Sequence, residues 1–237
     1  MTTGKPGILY LVPVLLGETG VTDVLPAKTI QTAARLKCFI AENAKSARQF
    51  LKQLPSDFSL QEIDVLELDK HSEKPDFNFY FEKLRSGTDT GLVSEAGMPG
   101  IADPGAAFAL QAHKEGIRVI PLTGPSSVFL ALAASGMNGQ GFTFHGYLPK
   151  EKADRSSFIK QIEKNASRFN QTQIFIETPY RNQGMFSELL QTCNPGTLLC
   201  IATDISLPTE FIATHTISEW RKKTADLNKR PTVFLLF

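Results

Sequence analysis

SEAGMPGIADPG, residues 94–105, is the stretch on which the reading of this chain turns. Its twelve positions hold three glycines, two prolines, two carboxylates and one serine. Gly and Pro both interrupt ladders and helices, so the segment reads as an irregular loop. An apolar run, Gly91-Leu92-Val93, leads into it, and a helix-forming run over residues 106–114 follows. Asp103 suits a helix N-cap and Pro104 the first helical position, so these two account for the exit. A capped turn leaves the nine preceding residues unexplained, and a ligand-binding loop explains them.

Working outward, apolar runs alternate with helical patterns. Residues 8–12, 38–41, 62–68, 90–93 and 117–120 read as strands. Helices are expected over 29–36, 44–54 (closed by Pro55 and Ser56), 76–85 and from Pro104 to Gly116. Residues 13–23, with Gly17 and Gly20, read as a loop. Five strand–helix alternations indicate a mostly parallel five-stranded α/β sheet. Ligands of such sheets bind outside the carboxyl ends of the strands. The exits here are Pro13, Glu42, Ser94 and residues 122–124.

A boundary at Leu122 divides the chain into an N-terminal α/β domain, 1–122, and a C-terminal one, 123–237. The second half opens on a small-residue helix, 126–135. Strands are expected at 142–145, 172–177, 198–203, 210–214 and 232–237, forming a mixed sheet. Helices are expected at 156–169 and 182–192. The polar stretch 149–155 mixes Lys150, Lys152 and Arg155 with Glu151 and Asp154, which indicates a solvated helix start.

Composition narrows the function. The 237 residues are 42% hydrophobic and 21% charged, as in an ordinary globular protein. A net charge of +1 supplies no global field for polyanions or anionic membranes. The apolar start of the chain is broken by Pro13 and is too short to span a bilayer, so a cytoplasmic protein is expected. Cys38, Cys193 and Cys200 are few and widely spaced, and read as buried thiols. No GxxxxGK[ST] occurs, which removes P-loop hydrolysis; no GxGxxG follows the first strand, which disfavours Rossmann dinucleotide binding; and neither HExxH nor a GxSxG elbow is present. Of the four histidines, His71, His113, His145 and His215, only His145 stands at an expected strand end, beside Gly146.

With the 94–105 loop, four further segments carry a resemblance. ILYLVPVLLGETGVTD, VIPLTGPSSVFLALAASG, FTFHGYLPKE and IETPYR occur in that order. They resemble LYLVPTPIGNLxDIT, IPGPSA followed by SG, FxFxGFLPRK and YESPHR of the ribosomal RNA small subunit methyltransferase I family. The loop itself resembles that family's SDAGTPGISDPG. The family belongs to the tetrapyrrole methylase superfamily (class III methyltransferases). The resemblance implies two α/β domains with S-adenosylmethionine in the cleft between them, and a homodimer.

It also implies cofactor contacts from Pro13, Ser94, Glu95, Ala96, Gly97, Ile101, Thr123, Ser126, Ser127 and Thr178. Ala202, Pro231 and Thr232 follow from the second domain. Glu42, Glu95, His145 and Arg181 are the catalytic candidates, and Arg48 and Arg181 would suit a phosphate or carboxylate. The implied activity is methyl transfer to the 2′-hydroxyl of a cytidine in small-subunit rRNA, with the small ribosomal subunit as partner. Two alternatives stay open: a small acceptor such as a tetrapyrrole, or a non-catalytic cofactor-binding module. Departures lie on the acceptor side. Glu95 replaces Asp, Glu42-Asn43-Ala44-Lys45 replaces EDTR, Tyr180 replaces a His, His145 replaces an acidic residue, and the first loop lacks TPIGN.

Overall fold

The computed structural model describes residues 5–55, 59–68 and 76–237, so Ser56 and His71 lie outside the described residues. The chain forms two compact units, residues 1–126 and 127–237. Leu122, the expected boundary, lies in the segment that leaves the last strand of the first unit.

In the first unit, β1 (Leu9–Leu11), β2 (Cys38–Ala41), β3 (Asp64–Glu67), β4 (Thr90–Val93) and β5 (Val119–Pro121) pair in the order β3-β2-β4-β1-β5. Every pairing is parallel, so both faces need helical cover. Side chains alternate accordingly. Phe39, Ala41 and Val93 join a core with Ile30 and Ala33 of α2 (Ala27–Ala34) and Ala47, Phe50 and Leu51 of α3 (Ala44–Leu51). Ile40 and Leu92 join the opposite core, with Phe81 and Leu84 of α4 (Phe77–Arg85) and Phe108 and Ala112 of α5 (Gly105–Lys114). Each large apolar side chain buried this way contributes roughly 1.5–3 kcal/mol.

The strand order positions the site. After β1 the chain moves toward β2, and after β4 it moves toward β5, on the other side of β1. The crevice outside β1 and β4 is therefore the topological switch point, where ligands of doubly wound sheets bind.

In the second unit, β6 (Phe142–Tyr147), β7 (Thr172–Ile176), β8 (Leu198–Thr203), β9 (Phe211–Thr216) and β10 (Thr232–Leu236) are ordered β6-β7-β10-β8-β9. Only β6–β7 is parallel, which gives the expected mixed sheet. One face carries α7 (Lys152–Phe169) and α8 (Asn182–Thr192), whose Ile159, Ile162, Met185 and Leu189 share a core with Phe175, Ile201 and Phe234. Another helix, α6 (Ser127–Ser135), packs on β8 to β10, and Thr214 donates its hydroxyl hydrogen to the Ser135 carbonyl at 2.8 Å.

Several expectations shift. A four-residue helix, Val21–Val24, lies inside the segment read as loop, and Ile217–Trp220 forms another. Both are single turns, too short for periodicity to register. Strand β3 starts later than expected because Ser59 and Glu62 form a capping box around a 3-10 turn. Helix α7 starts at Lys152, and Arg155 is not a solvated residue: it pairs with the buried Glu188 at 2.7 Å. All three cysteines are buried and free. Among the described residues, no helix is long and apolar enough to cross a membrane.

Candidate active site

The loop from β4 to α5 is built around left-handed backbone. Gly97 and Gly100 have φ of 70° and 87°, and Ala102, which has a Cβ, has 65°. The Ser94 hydroxyl donates to the Ala96 carbonyl at 3.2 Å and curls the first turn back on itself. One oxygen of Asp103 accepts from the Gly100 N–H at 2.8 Å and the Gly105 N–H at 2.6 Å. Asp103, the expected N-cap of α5, stands one residue outside, because the helix begins at Gly105 with Pro104 as its N-cap. The Asp103 carboxylate instead closes the loop onto the first helical N–H. Its other oxygen is buried without a partner among the described residues. Burial pushes its carboxyl above the ordinary value, and the two backbone donors offset part of that rise.

This loop lies against its neighbours along the same sheet edge. The Val14 N–H donates to the Gly97 carbonyl at 2.9 Å, joining the exits of β1 and β4. A Cβ on Gly97 would sit 3.0 Å from Leu16 Cδ2 and 3.3 Å from the Pro125 carbonyl oxygen. A Cβ on Gly124 would overlap the Pro13 ring, so glycine there lets the β5 exit touch the β1 exit. The Thr29 hydroxyl holds the Thr123 carbonyl at 2.7 Å. Pro13, Ser94 to Gly97 and Thr123 to Ser126 therefore form one continuous edge.

Two of the acid–base candidates also meet there. The Glu95 N–H donates to Glu42 Oε2 at 3.4 Å, which sets the Glu42 carboxylate against the backbone at the β4 exit. Beside them opens a cavity of about 540 Å³, lined by Val14 to Thr19, Ser94 and Glu95, and by Ser46, Gln49, Phe50 and Gln53.

The second unit gathers its own set. Because β10 runs antiparallel to β7 and β8, Thr232 pairs with Thr203 and Val233 with Ile176. Thr178, Ala202, Pro231 and Thr232 consequently share one sheet edge. The Thr203 and Thr232 hydroxyls bond at 2.8 Å. Ala202 is fully buried within the ladder, whereas Pro231 is exposed. Ser127 opens α6. Arg181 donates to Glu177 at 2.7 Å, and the same oxygen accepts the Thr178 N–H at 2.7 Å. The Arg181 Nε is buried without a partner among the described residues. His145 is not at a strand end. A bulge at His145-Gly146, with Gly146 at φ 66°, carries β6 on to Tyr147. The imidazole Nε2 meets Gln173 Oε1 at 2.8 Å, and its ring packs edge-on against Phe158 of α7.

Residues 9–220 match the profile of the tetrapyrrole (corrin/porphyrin) methylases. The chain belongs to the tetrapyrrole methylase family. It is 30% identical over 233 residues to the ribosomal RNA small subunit methyltransferase I of Xylella fastidiosa, covering 98% of this chain and 81% of that protein. The protein of that name from a Buchnera aphidicola strain is 28% identical over 235 residues, or 98% of this chain and 78% of the relative. Among solved structures, the methyltransferase CobJ aligns with a TM-score of 0.63 at 19% identity, covering 97% of this chain and 93% of that one. The cobalamin biosynthetic enzyme cobalt precorrin-4 methyltransferase, CbiF, aligns at 0.62 and 14% identity, covering 96% and 93%. This tetrapyrrole methylase is a methyltransferase that uses S-adenosylmethionine.

The residues of the first unit fit that cofactor. Among the described residues, the N–H groups of Ala96, Gly97 and Met98 have no protein acceptor. A run of unmet donors on a left-handed loop suits a ligand bearing hydroxyl and carboxylate oxygens.

Sequence reasoning passed over three features of this methylase. Asn182, fully buried, donates from Nδ2 to the Arg230 carbonyl at 2.6 Å and so fixes the approach to Pro231. Arg230 in turn bonds Asp204 at 2.8 Å, tying the β8 exit to the β10 entry. The Glu177–Arg181 pair was legible as oppositely charged residues four apart, but the burial of Glu177 was not.

Proposed function

We propose that this tetrapyrrole methylase transfers a methyl group to the 2′-hydroxyl of a cytidine ribose in small-subunit ribosomal RNA. The observation that carries this reading is its likeness, over 98% of its length, to relatives named for that RNA. The protein acts in the cytoplasm as a homodimer, and the small ribosomal subunit is its partner.

S-adenosylmethionine, when bound, supplies an electrophilic methyl group on a sulfonium. In the first unit Pro13, Ser94, Glu95, Ala96, Gly97, Ile101, Thr123 and Ser126 would hold it, largely through backbone. Ser127, Thr178, Ala202, Pro231 and Thr232 complete the contacts from residues of the second unit. These groups fix the donor for in-line displacement and exclude water. A ribose hydroxyl must lose its proton as the new C–O bond forms. Glu42 and Glu95 are the carboxylates assigned to that proton, since the Glu95 N–H holds Glu42 Oε2 at the β4 exit. Arg181 orients the acceptor through its charge, with Glu177 fixing the guanidinium. His145 supports the β6 bulge through Gln173 and is assigned a secondary, positioning part.

The test is transfer of tritiated methyl from S-adenosylmethionine to small ribosomal subunits from cells lacking this protein. Label in a ribose of the rRNA is the expected result. Cofactor binding without any label in rRNA would overturn the proposed acceptor and leave a tetrapyrrole-like small molecule as the second reading.

A further inference from the structure

Helix α3, with the turn Lys52-Gln53 that follows it, presents two chemically different flanks beside the cofactor loop. Its Ala47, Phe50 and Leu51 are buried in the first-unit core, which leaves two exposed rows on either side. Ser46, Gln49 and Gln53 line the cavity of about 540 Å³ next to Glu95. Arg48 and Lys52, four residues apart, line a second cavity of about 640 Å³ against edge strand β3. Among the described residues, neither the two glutamine amides nor the two cationic side chains have a protein partner.

The two cavities select opposite ligand chemistry. The first contains no cation: its ionisable side chains are Glu18 and Glu95. It therefore rejects phosphate. Its amide and hydroxyl groups can donate and accept along a neutral polar edge, and Phe50 supplies an apolar floor. Thr19 Oγ1, a buried oxygen in this lining, has no hydrogen-bond partner among the described residues. Those are the groups that read an unstacked base in single-stranded RNA. The second cavity carries two cations. Its one carboxylate, Asp64, is already occupied by Lys83 at 3.0 Å. That lining suits a backbone phosphate, whose contacts set position without reading sequence.

We infer that α3 is the acceptor-reading element of this enzyme: its Ser46–Gln49–Gln53 flank seats a nucleobase beside Glu95, and its Arg48–Lys52 flank holds neighbouring phosphates. This rests on RNA being the acceptor. It assigns to one helix both the choice of nucleotide and the grip on the strand, adjacent to the loop that carries the donor.

The test uses the full chain with small ribosomal subunits from cells lacking it. Gln49→Leu/Gln53→Leu should raise KM for the subunit at least ten-fold, with S-adenosylmethionine affinity and the salt dependence of RNA binding unchanged. Gln49→Ala/Gln53→Ala, which adds neither charge nor apolar bulk, should do the same and guards against a leucine-driven association. Arg48→Gln/Lys52→Gln should flatten the slope of log affinity against log salt by about 1.4, or 0.7 per lost contact to single-stranded RNA. An unchanged KM in both glutamine variants, or an unchanged slope in the cation variant, overturns the assignment while wild-type labelling leaves the acceptor reading intact. A parallel fall in cofactor affinity also overturns it, because the residues would then serve the donor site. Absence of wild-type label overturns both.

Discussion

Replacing Gly97 tests the loop most directly. Its φ of 70° lies in the left-handed region, which costs a residue with a Cβ roughly 1–2 kcal/mol. The added atom would also meet Leu16 Cδ2 at 3.0 Å and the Pro125 carbonyl oxygen at 3.3 Å. Leu16 can yield, being the end of a flexible side chain, but the Pro125 carbonyl is backbone. Gly97→Ala should therefore destabilise the protein by about 1–2 kcal/mol. Gly97→Val adds overpacking of roughly 1–3 kcal/mol more. Urea unfolding reads this as a lower midpoint with an unchanged slope. Because the Gly97 carbonyl also holds the Val14 N–H, calorimetry with S-adenosylmethionine should show weaker binding in both variants. A valine variant with wild-type midpoint and wild-type affinity would refute the reasoning. Lost stability with intact affinity would mean that this glycine serves packing alone.

Further outcomes follow from the same contacts. Burial raises the Asp103 pKa, so folding favours its protonated form, and that contribution fades as pH rises through the folded-state value. Asp103→Asn should accordingly gain stability relative to wild type as pH climbs through the acidic range, in urea melts run at several pH values. Glu163 accepts from the Asn194 N–H at 2.7 Å, Asn194 Nδ2 at 2.9 Å and the Thr197 hydroxyl at 2.6 Å, so Glu163→Ala should cost about 2–4 kcal/mol by denaturant titration. Burial, with Glu163 beside it, pushes the Cys193 thiol up to about 12, and a thiol reagent at neutral pH should leave it unmodified until the protein unfolds. Asn182→Ala removes the bond to the Arg230 carbonyl and should lower stability by about 1–3 kcal/mol, with a loss of cofactor affinity if Pro231 is a contact.

Much of the fold was legible because its signals are local. Strand 38–41 and helix 182–192 are bounded as expected, since an all-apolar run and a complete helical pattern each need no distant partner. Asp76, expected as the first helical residue, is instead the cap of that helix, accepting from the Asn78 and Phe79 N–H groups. Elements defined by a partner elsewhere were not legible. The bulge that extends β6 depends on register with β7, and the true start of α7 is tied by Arg155 to Glu188, 33 residues away.

The site divides in the same way. From the sequence alone came the glycine-rich loop, its family motifs, and the set of residues flanking strand exits, because left-handed turns and helix starts demand particular residue types. Only the tertiary structure decided which of them meet. The strand order β3-β2-β4-β1-β5 sets the β1 and β4 exits side by side, and that order is fixed by how two apolar faces are covered rather than by any single segment. It is why Glu42 and Glu95 come within hydrogen-bonding reach, while His145, equally prominent in the sequence, faces Gln173 and Phe158. Chain proximity specifies conformation, and burial of shared apolar surface specifies neighbours.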